Sequence, residues 1–233
     1  MKTVKSRKRV ISRVGRPPNA QRLENIRDSL LDVAEDIFAK HGFPGATIKQ
    51  IARHAKVTTT LLHYYFRDKQ GLLESVLSRR SDELIRLRME ALERYEMQKE
   101  SMTLEGVLDT FIRPVFRLAI EGGARVRNYF AIMAQVNSTP GWGAEIIAKV
   151  GDPSIQRCVT LVCKVYPEAP KEAVYWSFLQ FTGSLMLILA QTGRIDRWSN
   201  GLCRSSDLQA AFPQVLAYAI GGFRAVCESS RDC

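Results

Sequence analysis

Histidine is scarce in this 233-residue chain, and it is unevenly placed. The three histidines are His41, His54 and His63, so everything after residue 63 lacks an imidazole. A Ser-His-Asp or Cys-His arrangement in that larger part has no base of the usual type. Neither a P-loop nor a G-x-G-x-x-G dinucleotide loop occurs. Acids are scattered through the body, which leaves a carboxylate pair open as an alternative, but the enzyme reading does poorly. Cysteine is also sparse: Cys158, Cys163, Cys203, Cys227 and Cys233 make an odd count in no metal-ligand spacing, with no secretory signal ahead of them. This predicts reduced thiols in the cytoplasm, no bound metal and no cofactor. No alternating strand pattern of useful length appears, so the expected fold class is all-α.

Acidic residues are missing from the first 23 positions, which hold eight Lys/Arg. Residues 1–80 carry 17 Lys/Arg against 7 Asp/Glu, and residues 81–233 carry 17 against 17. The whole excess of +10 therefore lies at one end. A polyanion-binding end joined to a neutral end is the implication. Residues 1–23 have too few large apolar side chains to fold alone and read as a disordered basic arm. Within it Gly15-Arg16-Pro17-Pro18 resembles the core of an AT-hook, placing Arg16, with Arg13 nearby, for minor-groove contact.

The segment from Thr47 to Lys69 is the most informative. Thr47 is an N-cap with Gln50 at capping-box spacing, and Ile48, Ile51, Ala52 and Ala55 form a helical stripe. Lys56-Val57 makes a turn, and Thr58 caps a second helix reaching about Phe66. There Leu61, Leu62 and Tyr65 or Phe66 point inward, leaving Thr59, Thr60, His63 and Tyr64 outside. Lys69 opens a further helix, where its ammonium and the backbone N–H groups are both placed to meet a phosphate. A short polar helix held by a packed partner is the usual way a protein enters the DNA major groove.

Ala55-Lys56-Val57-Thr58, Leu62-His63-Tyr64-Tyr65-Phe66 and Lys69-Gln70-Gly71-Leu72 together resemble the signature of the tetracycline-repressor (TetR) family of transcriptional regulators. The preceding helix, Leu31 to Phe43 followed by Gly45-Ala46-Thr47, fits as well, and the resemblance covers residues 24 to about 77. Lys56 stands where the family usually has Gly, so a non-glycine residue must take a left-handed turn. His63 stands where Tyr is common. The resemblance implies a three-helix DNA-binding head over 24–70 and a helical effector-binding and dimerisation body over 71–233. It further implies a homodimer on a palindromic double-stranded operator. Thr47, Lys49, Tyr64 and Lys69 are expected on phosphates and Thr59, Thr60 and His63 on base edges, with Thr58 and Tyr65 completing the DNA-contacting set. The alternative is a non-specific architectural DNA binder that relies on its arm.

Helical periodicity continues to the end. Expected helices are 23–41, 70–99, 104–121 with a bend at Pro114, 125–136, 144–150, 154–165, 171–192 and 208–227, with a polar loop at 194–207. Residues 173–193 are uncharged and long enough to span a bilayer, but polar residues crowd the middle, so core or interface is favoured over membrane. In the family the last two long helices form a four-helix dimer interface. A small-molecule pocket is also implied, with Phe111, Tyr129, Phe130, Met133, Trp176 and Gln180 as its candidate lining. Gln180 is the sharpest of these, since a buried amide needs a partner. Few charges sit among them, which suggests an apolar or amphipathic effector.

Overall fold

In the computed structural model the described residues are 19–98, 101–150 and 152–229, and among them the chain forms helices and no strand. The first four helices are α1 (Asn19–Gly45), α2 (Ile48–Ala55), α3 (Thr59–Phe66) and α4 (Lys69–Gln98). The rest are α5 (Leu104–Glu121), α6 (Gly123–Asn137), α7 (Trp142–Val150), α8 (Pro153–Val165), α9 (Lys171–Leu189), α10 (Arg194–Trp198) and α11 (Leu208–Ser229). Each expected helix is present. The polar loop at 194–207 holds one more, α10, too short to show periodicity. Helix α1 is interrupted at Gly42, where φ is 69° and ψ 170°, which is where the His41-Gly42 stop was expected. Helix α5 runs on through Pro114.

The head is built on two caps. Thr47 Oγ1 accepts from Gln50 N at 3.1 Å, and Thr58 Oγ1 accepts from Leu61 N at 3.3 Å. Between them Lys56 closes α2 in the left-handed region, φ 55° and ψ 41°, so the turn keeps its family shape without glycine. Glycine is required at 71, because a Cβ there would meet Phe66 O at 2.3 Å. Leu30, Ala34 and Phe38 of α1, Ile51 and Ala52 of α2, and Leu62 and Phe66 of α3 are buried together against Leu72, Leu73 and Val76 of α4.

Helix α5 shows why the body is helical. Its buried residues, Leu104, Val107, Leu108, Phe111, Ile112, Val115 and Phe116, recur at three- and four-residue steps and form one continuous stripe. The stripe faces α4, α8 and α11. Phe111, Phe178, Phe181 and Phe223 join α5, α9 and α11 with ring centroids 5.4 to 6.3 Å apart.

Head and body meet through ions and rings. Arg79 on α4 donates to Asp32 at 2.7 Å and to buried Glu35 at 2.8 Å on α1. Arg125 on α6 reaches Asp32 at 2.5 Å, and Asn128 Nδ2 donates to Asp36 at 2.8 Å. Phe43, at the end of α1, packs on Trp142 of α7 with centroids 4.5 Å apart.

Candidate nucleic-acid interface and ligand cavity

One face of α3 is open. Thr60, His63 and Tyr64 are exposed, Tyr64 to 78 %, and they lie at three- and four-residue steps on one side. Thr59 is half-buried at its edge. Thr47, Lys49 and Thr58 are exposed beside this face. The two capping threonines accept through a lone pair and keep their O–H hydrogens, so capping and donation to a phosphate are compatible. His63 Nδ1 lies 2.7 Å from Arg67 O and must donate to it, which leaves Nε2 turned away from the backbone. Sequence reasoning missed the cations Arg53 and Arg67, both exposed around the same face. Arg67 directly follows α3 in the sequence and Arg53 lies on the partner helix α2, so their charge and position were a signal.

Two expected contacts take other roles. Lys69 Nζ donates to Phe43 O at 2.8 Å and Ala46 O at 3.1 Å, and it sits 4.3 Å from the Phe43 ring centroid. The ammonium ties the end of α1 and the residue after it to the start of α4, so the expectation of a phosphate grip is corrected: the charge is drawn inward by carbonyls at a helix end. Tyr65 is half-buried, and its hydroxyl donates to Leu23 O at 3.4 Å on α1 rather than facing outward with Tyr64. Arg13 and Arg16 lie outside the described residues.

Inside the body, α4, α5, α6, α7, α8 and α9 enclose a cavity of about 140 Å³. Phe111, Tyr129, Phe130 and Met133 line it, with Leu84, Ile147 and Met186. Two expected lining residues do not. Trp176 is 62 % exposed and Gln180 is also exposed, both on the outer side of α9. The charge-free run made all sides of this helix look buried, whereas its buried side carries Val174, Phe178, Phe181 and Leu185. Gln180 instead borders a shallow cleft with Tyr218 and Gly222 of α11.

The cavity holds one ion pair. Arg88, only 5 % exposed, donates from Nη1 to Asp152 Oδ2 at 2.8 Å and from Nε to Phe111 O at 3.3 Å, its guanidinium carbon 4.1 Å from the Phe111 ring centroid. Asp152 caps α8 by accepting from Ser154 N at 2.9 Å. The Tyr129 hydroxyl is 3.1 Å from Ser81 Oγ, and burial pushes its pKa up, so it stays a neutral phenol. Burial likewise pushes the Cys158 thiol up to about 12, which leaves it inert as a nucleophile. Asn137, Thr182 and Met186 border both the cavity and a surface groove of about 560 Å³ between α6 and α9, so the two lie side by side.

A capped helix-turn-helix with an open polar face, joined to a helical body with an internal cavity, defines the class: a one-component DNA-binding regulator. Comparison with known proteins gives the family. Residues 30–76 match the model for bacterial regulatory proteins of the tetR family, and residues 109–222 match the tetracyclin repressor-like C-terminal domain. The chain belongs to the TetR family of transcriptional regulators. The HTH-type transcriptional repressor NicS of Pseudomonas putida is 41 % identical over 58 residues, 25 % of this chain and 27 % of that protein. The HTH-type transcriptional regulator BetI of Klebsiella pneumoniae is 45 % identical over 51 residues, 22 % of this chain and 26 % of that protein. The aligned part is thus about a quarter of the length of these curated relatives. Among solved structures, the fatty acid degradation regulator FadR of Bacillus halodurans superposes with a TM-score of 0.60 at 17 % identity, over 85 % of this chain and 96 % of that one. FadR of Bacillus subtilis in complex with stearoyl-CoA gives 0.55 at 15 % identity, over 84 % and 98 %. At such identities the likeness is one of fold.

Proposed function

We propose that the protein is a cytoplasmic, ligand-responsive repressor that binds a palindromic operator as a homodimer and has no catalytic role. The observation that carries this is the open α3 face, in which Thr60, His63 and Tyr64 stand together on a helix otherwise pinned by Leu62 and Phe66. Thr47, Lys49 and Tyr64 hold phosphates, and Thr59, Thr60 and His63 face base edges, where a threonine methyl can pack on a thymine methyl. The arm over 1–23 adds a salt-dependent term, the head spans 24–70, and the body spans 71–233.

The dimer forms on the outer side of α9 and α11. Tyr175, Trp176, Leu179, Leu187 and Tyr218 are 44 to 74 % exposed there, a cluster of large side chains that a monomer has no reason to show water. Helix α11 is long and apolar enough to cross a membrane by composition, yet one of its sides is occupied by α9 and α5. A second copy on the other side accounts for its hydropathy.

The effector is small and apolar or amphipathic. The enclosed space is below the roughly 300 Å³ at which ordinary ligand pockets begin, so a molecule of stearoyl-CoA size does not fit without expansion. The cavity is lined by Ser81, Leu84, Ile85 and Arg88 of α4 and by Tyr129, Phe130 and Met133 of α6. Those two helices are also the ones ion-paired to α1 through Arg79 and Arg125. A guest that spreads α4 from α6 therefore turns the head and changes the separation of two α3 helices on DNA.

Selection of bound sequences from random DNA tests the reading. It is expected to return a palindrome whose preference disappears in Thr59→Ala/Thr60→Ala. A variant that keeps its preference, while deletion of residues 1–23 abolishes all binding, would overturn this reading, and an unaltered protein that returns no preferred sequence would favour the architectural alternative.

A further inference from the structure

The buried ion pair in the cavity specifies the chemistry of the effector, given the regulator reading above. Asp152 Oδ2 is taken by Arg88, and Oδ1 by Ser154 N and by the Ser154 hydroxyl. Both oxygens of the Asp152 carboxylate are therefore engaged. The donors are not. Arg88 has five N–H groups, of which only Nε and one on Nη1 have acceptors among the described residues. Ser81 and Tyr129 share one hydrogen bond, and because each hydroxyl carries a hydrogen, one O–H remains to donate elsewhere. The polar end of the cavity thus offers donors and needs an acceptor.

Charge narrows the choice further. Arg88 and Asp152 already cancel, in a space walled by apolar side chains such as Leu84, Phe130 and Met186. A carboxylate guest would place a second anion on one guanidinium and leave a net negative charge buried, which low dielectric penalises. An ammonium guest would leave a net positive charge buried beside the guanidinium, which carries the same penalty. We propose that the effector is an uncharged amphiphile whose carbonyl-type oxygen seats on the open N–H groups of Arg88, its apolar body running toward the Met186 side of the groove.

Isothermal titration of the full chain with 2-heptanone, heptanoate and heptylamine tests this. The ketone is expected to bind, with heptanoate weaker by at least about tenfold and the amine silent. Asp152→Asn keeps an oxygen to cap α8 but uncovers the Arg88 charge, so heptanoate is expected to gain at least about tenfold while the ketone changes by less than about threefold. Asp152→Ser, which also retains a capping oxygen, makes the same comparison if the Asn variant does not fold. Heptanoate equal to or tighter than the ketone in the unaltered protein overturns the proposal. So does an absence of ketone binding, or an absence of any heptanoate gain in both variants. Operator binding by the ligand-free protein is measured on the same samples: if it persists while the ketone fails, the effector chemistry is wrong and the regulator reading stands.

Discussion

Replacing Trp176 with glutamate isolates the α9/α11 face. Trp176 is 62 % exposed in the single chain, so its substitution leaves little of the monomer's own packing to lose. A tryptophan side chain presents up to roughly 250 Å², and the exposed share is then about 150 Å² per protomer. At about 25 cal/mol per Å², complete coverage by a partner is worth about 4 kcal/mol in each protomer. A two-fold interface counts each residue twice, giving about 8 kcal/mol as the ceiling. Half coverage gives about 4 kcal/mol per dimer, a weakening of about a thousandfold in Kd, before the cost of burying the new carboxylate. Sedimentation equilibrium across a concentration series reads this directly. Trp176→Glu is expected to be monomeric at concentrations where the unaltered protein is dimeric, with unchanged far-ultraviolet circular dichroism. Tyr64→Ala removes a still more exposed aromatic from the head and is expected to leave the dimer intact. If Trp176→Glu dimerises as tightly as the parent, this face is not the interface and the reasoning fails.

Lys69→Met is expected to cost about 2–3 kcal/mol in urea unfolding, because a charged donor to two backbone carbonyls is lost. It should leave the salt dependence of DNA binding unchanged, whereas Lys49→Ala should reduce the slope of log K against log salt by about 0.9; the reverse pattern would return Lys69 to the phosphates. Thr58→Ala is expected to lower stability by about 1 kcal/mol through loss of the α3 cap, measured by thermal melting, and an unchanged melt would contradict the Thr58–Leu61 bond. Glu35 gives a pH signature. Burial pushes its carboxyl above the ordinary value of 4.5, against the pull of Arg79, Arg80 and Arg125. A raised carboxyl favours the protonated native state, so stability relative to Glu35→Gln should fall as pH rises from 4.5 through the raised value and be flat below it. Urea melts from pH 4 to pH 8 read that difference, and a rise over the same interval would invert the argument.

The head was legible because its signals are local. Capping threonines, a three- to four-residue apolar stripe and a turn act within a few residues of themselves, and the Thr47 and Thr58 bonds form where spacing places them. Lys56 was legible for the same reason, since a left-handed turn is a property of one residue and its neighbours. Lys69 was not. Its amine points at Phe43 O and Ala46 O, more than twenty residues away, and no spacing rule reports a carbonyl left open by the end of another helix. Trp176 and Gln180 failed differently. Without charges to mark a wet side, α9 has no periodic contrast, and which of its sides faces the core depends on where α5 and α11 lie.

By itself, the sequence determined the helix boundaries to within a few residues, the turn between α2 and α3, the gathering of positive charge at one end, and the family. Each of these follows from composition or from forces between near neighbours in the chain. Tertiary structure alone decided that Arg88 and Asp152 meet inside a cavity, that Arg79 and Arg125 hold the head to two cavity-lining helices, and that Trp176 faces outward. Those depend on pairs 64, 47 and 93 residues apart, and on which side of a uniformly apolar helix meets a neighbour. Long-range ion pairs need the packed frame before their geometry exists, and that geometry is what gives the cavity its donors, its balanced charge and its connection to α1 of the head.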